Sequence, residues 1–265
     1  MVGMSAVWWG EYGIEAGTAA RWRIGPLQLH IARTRSEWLI HALSSDDATD
    51  TASEQEVPTA APPPEGATVN RFVQRATGPR LVLSGRLADR PVVTKPVVPL
   101  SVPGGEEITL YVGSPVWVQI AFGEPPRHVL EIPSHRPSDT WAGANTREGE
   151  ACYASRTAAQ VEFDACTIRP HRAVTEVQVR NNAADTLVIE QLQLPAPLLA
   201  LYATGDGVLW TNSVTLTRDG REHAARLEIG AASLPAGRAL TRLGEPRRVA
   251  DSNMIAQVFN RLWNF

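Results

Sequence analysis

The chain has 265 residues, of which 43% are hydrophobic and 20% are charged, and its formal net charge is −3. These values are ordinary for a globular protein and exclude a wholly disordered or fibrous chain. Arginine supplies nearly all of the positive charge, since Lys95 is the only lysine. The arginines are scattered along the chain, so we predict no nucleic-acid partner.

The first 13 residues lack the basic start and apolar stretch of a secretory signal, and no apolar run approaches the roughly 20 residues that cross a bilayer. The two cysteines, Cys152 and Cys166, form no CxxC pair, and the six histidines have no metal-ligand spacing. We therefore expect a cytoplasmic protein with reduced thiols, no integral membrane segment, no metal and no cofactor.

Residues 1–43 contain short alternating runs. Apolar side chains occupy every second position over residues 27–31 and again at Trp38, Ile40 and Ala42, the period of a β-strand with one buried face. Gly25-Pro26 is a turn signal before the first run. We expect an N-terminal β-meander that packs on the main sandwich.

Residues 44–69 are acidic and rich in proline. Six Asp or Glu residues occur without a base, and Pro58 and the run 62–64 cannot donate to a sheet. This composition predicts a flexible loop. The alternative is a docking segment for a basic or proline-recognising partner.

Short alternating runs recur over residues 70–248, with Gly and Pro between them and no helical pattern, which predicts the main β-sandwich. Gly113-Ser114-Pro115 is expected to separate two strands. A phase slip near Glu190 predicts a β-bulge, and Asp219-Gly220 predicts a hairpin. The expected fold is all-β, an antiparallel, jelly-roll-like β-sandwich with one C-terminal amphipathic helix.

Residues 249–265 change to a helical period, and Asp251 or Ser252 can cap the start. We expect a helix that closes the core or docks a partner. Its partner-docking stripe would be Ile255, Val258, Phe259, Leu262 and Trp263. The stripe also leaves open a subunit of a larger, membrane-attached assembly, although Arg261 alone gives little lipid attraction.

Several runs resemble a prokaryotic family known as domain of unknown function 432. They are RWRIGPL at 21–27, EW at 37–38, VPLSVP at 98–103, YVGSP at 111–115 and CY at 152–153. The resemblance spans nearly the whole chain except the acidic segment, which departs from the family pattern. It implies a β-rich fold and carries neither an activity nor functional residues.

Reactive side chains concentrate in residues 132–157, a polar connection of the kind on which binding sites are often placed. The predicted ligand-binding residues are His135, Arg136, Asp139, Trp141, Asn145, Arg147 and Glu148.

Each catalytic or binding role considered for these side chains has a structural alternative. Cys152 with His135 or His171 would form a nucleophilic pair, whereas a buried, inert cysteine is commoner. Asp139 and Glu148 would supply the two carboxylates of a glycosidase. The tryptophans at 8, 9, 22 and 38 would form a stacking platform if exposed, whereas Trp in a β core is commoner.

No catalytic motif accompanies these structural signals. The leading expectation is a non-enzymatic β-sandwich binding or interaction module with an unidentified protein partner, which could serve as an accessory subunit of a larger assembly. The alternative is a jelly-roll-like hydrolase or carbohydrate-active protein that uses residues 132–157.

Overall fold

The computed structural model describes residues 7–73, 78–143, 149–155, 157–220, 224–232, 239–249 and 254–257. Within these ranges the chain is all-β, with 22 strands, two 3₁₀ turns and no α-helix. The first eleven strands are β1 (Gly10–Gly13), β2 (Ala19–Ile24), β3 (Leu27–Arg33), β4 (Glu37–Ser44), β5 (Ser53–Thr59), β6 (Thr68–Val73), β7 (Arg80–Leu87), β8 (Val92–Thr94), β9 (Leu100–Val102), β10 (Glu107–Phe122) and β11 (Arg127–Pro133). The others are β12 (Ser138–Ala142), β13 (Glu150–Ala154), β14 (Arg172–Asn181), β15 (Leu187–Ile189), β16 (Leu192–Leu194), β17 (Leu201–Thr204), β18 (Leu209–Thr211), β19 (Val214–Arg218), β20 (Ala224–Ile229), β21 (Leu240–Gly244) and β22 (Met254–Gln257).

The main sheet is built around β10 and β14. Its order is β1-β7-β10-β14-β18-β17-β21, with β11 beside β10, β19 beside β14, and β20 and β22 beyond β19. The predicted break at Gly113-Ser114-Pro115 is wrong, because β10 runs through it without interruption. These three residues instead lie where β10 changes its partner strand, since it pairs with β14 up to Pro115 and with β7 from Val116 onward.

A five-stranded N-terminal sheet, in the order β5-β2-β3-β4-β6, shares one hydrophobic core with the main sheet. Trp38 stacks on Phe122 of β10 with ring centroids 4.8 Å apart. Trp8, Trp22 and Trp38 are buried, and Trp9 is partly buried against the same core, so the exposed tryptophan platform is wrong and the core interpretation is confirmed. The alternating apolar residues of β2 to β4 thus form the inner face, as the pattern predicted for β3 and β4.

The flexible loop predicted for residues 44–69 is wrong over β5 and the start of β6. β5 pairs with β2, where Arg21 lies opposite Glu56 and forms an ion pair of 2.7 Å. Arginines on the neighbouring strand therefore compensate the acidic residues that made this segment look unable to fold. β5 is an edge strand, which is where a sheet tolerates Pro58. The division into domains at residues 43, 69 and 248 stays a prediction.

Two smaller sheets complete the described structure. One has the order β12-β13-β8-β16, and the other pairs β9 with β15. The predicted bulge near Glu190 is wrong, because β15 and β16 are separate strands that belong to these two different sheets. The phase slip therefore marks the crossing of the chain from one sheet to the other.

The hairpin predicted at Asp219-Gly220 is confirmed, since β19 pairs antiparallel with β20. Most described strand pairs are antiparallel, as expected. Three are parallel, namely β14 with β18, β14 with β19, and β13 with β8.

The predicted C-terminal helix is wrong for residues 254–257, the part of it that the structure describes. Residues 254–257 form β22, which pairs with β20 and places Ile255 opposite Arg226. The open edge of β20 offers hydrogen bonds that override a helical apolar period. Val258, Phe259, Leu262 and Trp263 lie outside the described residues. No helix among the residues described is long and apolar enough to cross a membrane.

Candidate functional site

Residues 132–157, predicted to be a polar connection, include two paired strands, the edge strand β12 and its neighbour β13. Asp139 is exposed on β12 and lies 3.2 Å from Arg90 Nη1 and 3.7 Å from Arg136 Nη2. Its carboxylate is therefore held between two guanidinium groups. Trp141, on the same strand, is 48% exposed.

The structure separates the other predicted ligand residues. His135 is buried and lies near His171, away from the exposed face of β12. Asn145, Arg147 and Glu148 lie outside the described residues. The use of this segment as a binding site, and the pairing of Asp139 with Glu148, stay predictions. Among the residues that the structure covers, no group of three or more His, Cys, Asp or Glu side chains could hold a metal.

Cys152, the proposed nucleophile, is fully buried on β13. Burial, reinforced by the neighbouring Glu150, raises the pKa of its thiol to about 12. A catalytic cysteine requires the opposite shift, because the thiolate is the nucleophile. These properties favour the inert, buried cysteine over the nucleophile.

We predict that iodoacetamide labels Cys166 in the folded protein and labels Cys152 only after unfolding. Both thiols are free, but Cys166 is partly exposed and Cys152 is not. Peptide mass spectrometry after a time course of labelling measures both rates in one sample. Labelling of Cys152 ahead of Cys166 would contradict its burial and favour the nucleophile again.

The strongest constellation of polar groups lies elsewhere, at the start of β14. Arg172 is only 5% exposed. Its Nη2 donates to the Gly113 carbonyl oxygen at 2.8 Å, to Ser155 Oγ at 3.0 Å and to Thr157 Oγ1 at 2.8 Å. All three acceptors are neutral, and Nε has no hydrogen-bond partner in the described part of the chain. The guanidinium is thus fixed in place by hydrogen bonds that leave its charge uncompensated.

Burial, with a further contribution from Arg169, lowers the pKa of Arg172 to about 10. Removing an ion from water costs several kcal/mol unless a counter-charge is supplied. A second guanidinium close by adds to that cost. The folded protein therefore carries an electrostatic penalty at this position that a bound anion would reduce.

Residues 169–172 also join the main sheet to the N-terminal part of the chain. Arg169 Nη1 donates to the Ala48 carbonyl oxygen and Trp8 Nε1 donates to the Pro170 carbonyl oxygen, each at 2.8 Å. The ring of His171 lies directly against Gly25, in the turn between β2 and β3. These contacts fix the backbone of residues 169–172 and so hold its two arginines in position.

His171 is buried, and within the described residues neither ring nitrogen makes a hydrogen bond of good geometry. Burial, followed by the charges of Arg172 and Arg169, lowers the pKa of His171 to about 3. The Ala48 backbone opposes this shift slightly. The ring is accordingly neutral at physiological pH and adds no third positive charge beside the two arginines.

A cavity of about 250 Å³ opens beside these arginines, and we call it the Arg172 cavity. No acidic side chain is among its lining residues in the described part of the chain. Gly113 is part of the wall, where a Cβ atom would come within 3.2 Å of Thr157 Oγ1 and 3.4 Å of Arg172 Nε. Its lining includes Thr157, Gln160, Ala165, Cys166, Arg169 and Arg172.

Sequence reasoning missed this site. A weak signal exists, because Arg169, His171 and Arg172 crowd into four positions with no acidic residue between Asp164 and Glu176. A cluster of this kind usually lies on the solvated surface. The burial of Arg172, which the sequence does not reveal, is what indicates a site here.

Comparison with known proteins supplies a family and no activity. No curated protein and no solved structure matches the chain. The family model described as "Protein of unknown function (DUF432)" matches residues 8–263. That range contains both the Arg172 cavity and the β12–β13 hairpin. The chain therefore belongs to the DUF432 family, as its sequence resemblance indicated.

Proposed function

We propose that the protein is a non-enzymatic β-sandwich binding module whose ligand is a small anion held in the Arg172 cavity. The observation that carries this proposal is a buried guanidinium whose acceptors among the described residues are all neutral, beside a cavity whose described lining has no acidic side chain. Arginine is the side chain best suited to bind carboxylate or phosphate groups in such an environment.

The energetics support binding rather than catalysis. An anion in the cavity would offset the cost of burying Arg172. The lowered pKa of His171 makes its ring a weak base, and burial raises the pKa of Cys166, which disfavours the thiolate. The described residues around the cavity therefore favour recognition of an anion over turnover.

A protein partner and a cytoplasmic, accessory role remain part of the proposal. The surface that supports them is the edge strand β12, which carries the exposed Trp141, together with Arg136, two residues before the strand begins. Trp and Arg are the residues most enriched among those that dominate the binding energy of protein interfaces.

A carbohydrate-active enzyme is the alternative, and the exposed Trp141 favours it because sugars stack on such rings. Asp139 argues against it, since two arginines hold its carboxylate. Turnover of a glycoside or ester panel by the purified chain, lost on Asp139→Asn substitution, would overturn the binding module.

We predict that millimolar sulfate, phosphate or short carboxylates raise the thermal midpoint and slow iodoacetamide labelling of Cys166. Ligands that bind only the folded state stabilise it by mass action, and Cys166 lines the cavity. Sodium chloride at matched ionic strength controls for screening. Failure of every anion to protect Cys166 would refute the proposed function.

The matched variants are Ala165→Phe, which fills the cavity from an exposed position, and Ala60→Phe, at an alanine that is also exposed and lies outside the cavity lining. We expect the first to abolish anion protection and the second to retain it. Arg172→Gln should also abolish protection. The three hydrogen bonds of Arg172 also stabilise the fold, so loss of protection in Arg172→Gln could reflect altered structure. The Ala165→Phe variant keeps these bonds and is the cleaner test.

A further inference from the structure

The two arginines of the Arg172 cavity have unused capacity for hydrogen bonds. Arg169 donates through Nη1 to the Ala48 carbonyl oxygen, and Arg172 donates through Nη2 to its three neutral acceptors. The Nε atom of each arginine is buried without a hydrogen-bond partner in the described part of the chain. Buried donors without an acceptor are costly, so both guanidinium groups favour a ligand that brings oxygen atoms close to them.

Two positive charges therefore act on one ligand. No carboxylate belongs to the described lining of the cavity. Asp47 lies outside that lining, where hydrogen bonds from Thr49 lower the pKa of its carboxyl group most and the charge of Arg169 lowers it further. Asp47 thus offsets part of the charge of Arg169 and leaves that of Arg172. A phosphate group carries a charge of about −1.5 to −2 at neutral pH, so it balances two guanidinium groups more fully than a carboxylate does.

Further donors surround the cavity besides the guanidinium groups. Gln160 contributes a side-chain amide to the lining, and Thr167, which is exposed, contributes a hydroxyl group. The backbone N–H groups of Gln160, Ala165 and Cys166 already donate to described backbone carbonyl oxygens. Those of Ala158 and Thr167 donate to no backbone carbonyl oxygen among the described residues. The lining therefore offers a ligand donors from two separate segments of the chain.

Donors from several directions suit a tetrahedral oxyanion. The oxygens of a phosphate group point to different sides, whereas the two oxygens of a carboxylate lie in one plane and match a single guanidinium edge. Backbone N–H groups, together with arginine, are common phosphate ligands in proteins. We infer that the anion of the Arg172 cavity is a phosphate group, held by Arg169 and Arg172 together with donors of Gln160 and Thr167. This inference rests on the proposed function and deepens it.

Two sources can supply such a group, namely inorganic phosphate and a small phosphate ester. The cavity volume of about 250 Å³ is several times the roughly 30 Å³ that one water molecule occupies in the liquid. An ester with a few atoms beyond the phosphate therefore has room. The described lining contains no aromatic ring on which a nucleotide base would stack. Ribose 5-phosphate, which has no base, is accordingly the ester to use as a probe.

The test compares sodium phosphate, ribose 5-phosphate, ribose and sodium acetate on the full chain at one ionic strength. Protection of Cys166 from iodoacetamide and the shift in thermal midpoint are the two readouts. One further hydrogen bond to a charged group raises affinity about tenfold or more. We therefore expect at least one of the two phosphates to protect at concentrations about tenfold lower than acetate. Ribose should not protect, and the tighter of the two phosphates identifies the source.

A variant at Thr167 tests the donors beyond the arginines. Thr167→Val keeps the shape of the side chain and removes its hydroxyl group, so it should weaken protection by the phosphates severalfold. Thr51→Val, at an exposed threonine outside the lining, should leave protection unchanged. Because both positions are exposed and lie outside the strands, neither substitution should impair folding. Each labelling rate is divided by that of the same variant without ligand, since Thr167 adjoins Cys166.

The possible failures are distinguishable. Protection by acetate at concentrations equal to or lower than those of both phosphates would overturn the phosphate and leave an anion site in place. Unchanged protection in Thr167→Val would overturn the role of donors beyond the arginines. Protection by ribose as strong as by ribose 5-phosphate would show that the charge is not recognised and overturn both proposals. Absence of protection by all four compounds would refute the proposed function itself.

Discussion

Replacing Gly25 by alanine will lower the free energy of unfolding by about 3 to 5 kcal/mol. Gly25 has a φ of +54°, and a Cβ atom there would overlap the ring of His171 and lie 2.9 Å from the Asp50 carbonyl oxygen. The ring cannot withdraw easily, because His171 is fully buried. Equilibrium denaturation in urea measures the loss.

Gly66→Ala is the matched control. Gly66 also has a positive φ, +76°, but a Cβ atom there would meet nothing within 4 Å. Its cost should be the backbone strain alone, about 1 to 2 kcal/mol. Equal losses at the two positions would show that the turn between β2 and β3 does not press on His171.

The same substitution should disturb the binding site, since His171 directly precedes Arg172. We expect Gly25→Ala to weaken anion protection of Cys166, whereas Gly66→Ala leaves it intact. This pair of results would connect the packing of the N-terminal sheet with the Arg172 cavity.

The free energy of unfolding will also fall as the pH is lowered from about 6.5 toward 3. The pKa of His171 is lowered from 6.5 to about 3 in the folded protein. In this interval the unfolded chain binds a proton at His171 and the folded chain does not, so acid favours unfolding. The loss is at most about 1.4 kcal/mol per pH unit.

The physical reason is the surroundings of the ring. Burial disfavours a positive charge on the ring, and the charges of Arg172, Arg169 and His135 disfavour it further. We therefore expect His171→Phe to flatten the dependence of stability on pH between about 6.5 and 4.5. The exposed His128→Phe variant should keep the parental slope.

Urea denaturation at several pH values, fitted for all three proteins, provides the measurement. His30, whose pKa burial also lowers, adds its own slope, and the His171→Phe variant retains it. The result to compare is thus the difference between variant and parent. An unchanged slope in His171→Phe would show that this ring does not resist protonation.

The fold was predictable from sequence where the information is local. Alternation located β3, β4 and β14, because one buried face imposes a period of two. β5 was not predicted because the charge of its Glu56 is compensated by Arg21, which lies more than 30 positions earlier in the sequence. The helical period near residues 254–257 was overridden in the same way, by the edge of β20.

The candidate site was harder to predict for the same reason. Nothing local distinguishes Arg172 from the other arginines, since its hydrogen bonds go to Gly113, Ser155 and Thr157 in other segments. The predicted segment, residues 132–157, is polar partly because it contains the exposed edge strand β12. Polarity along the sequence therefore located an exposed surface and missed a buried charge.

The contacts of residues 169–172 also bear on the order in which the protein can mature on the ribosome. Arg169 and Ala48, which share a hydrogen bond, are separated by 121 positions. At ordinary rates of translation this interval takes roughly 6 to 25 s. During that time the turn at Gly25 has no His171 to pack against. The inner face of the N-terminal sheet also lacks the core residues that lie later in the sequence. The nascent chain thus passes through a stage in which chaperone protection would matter most.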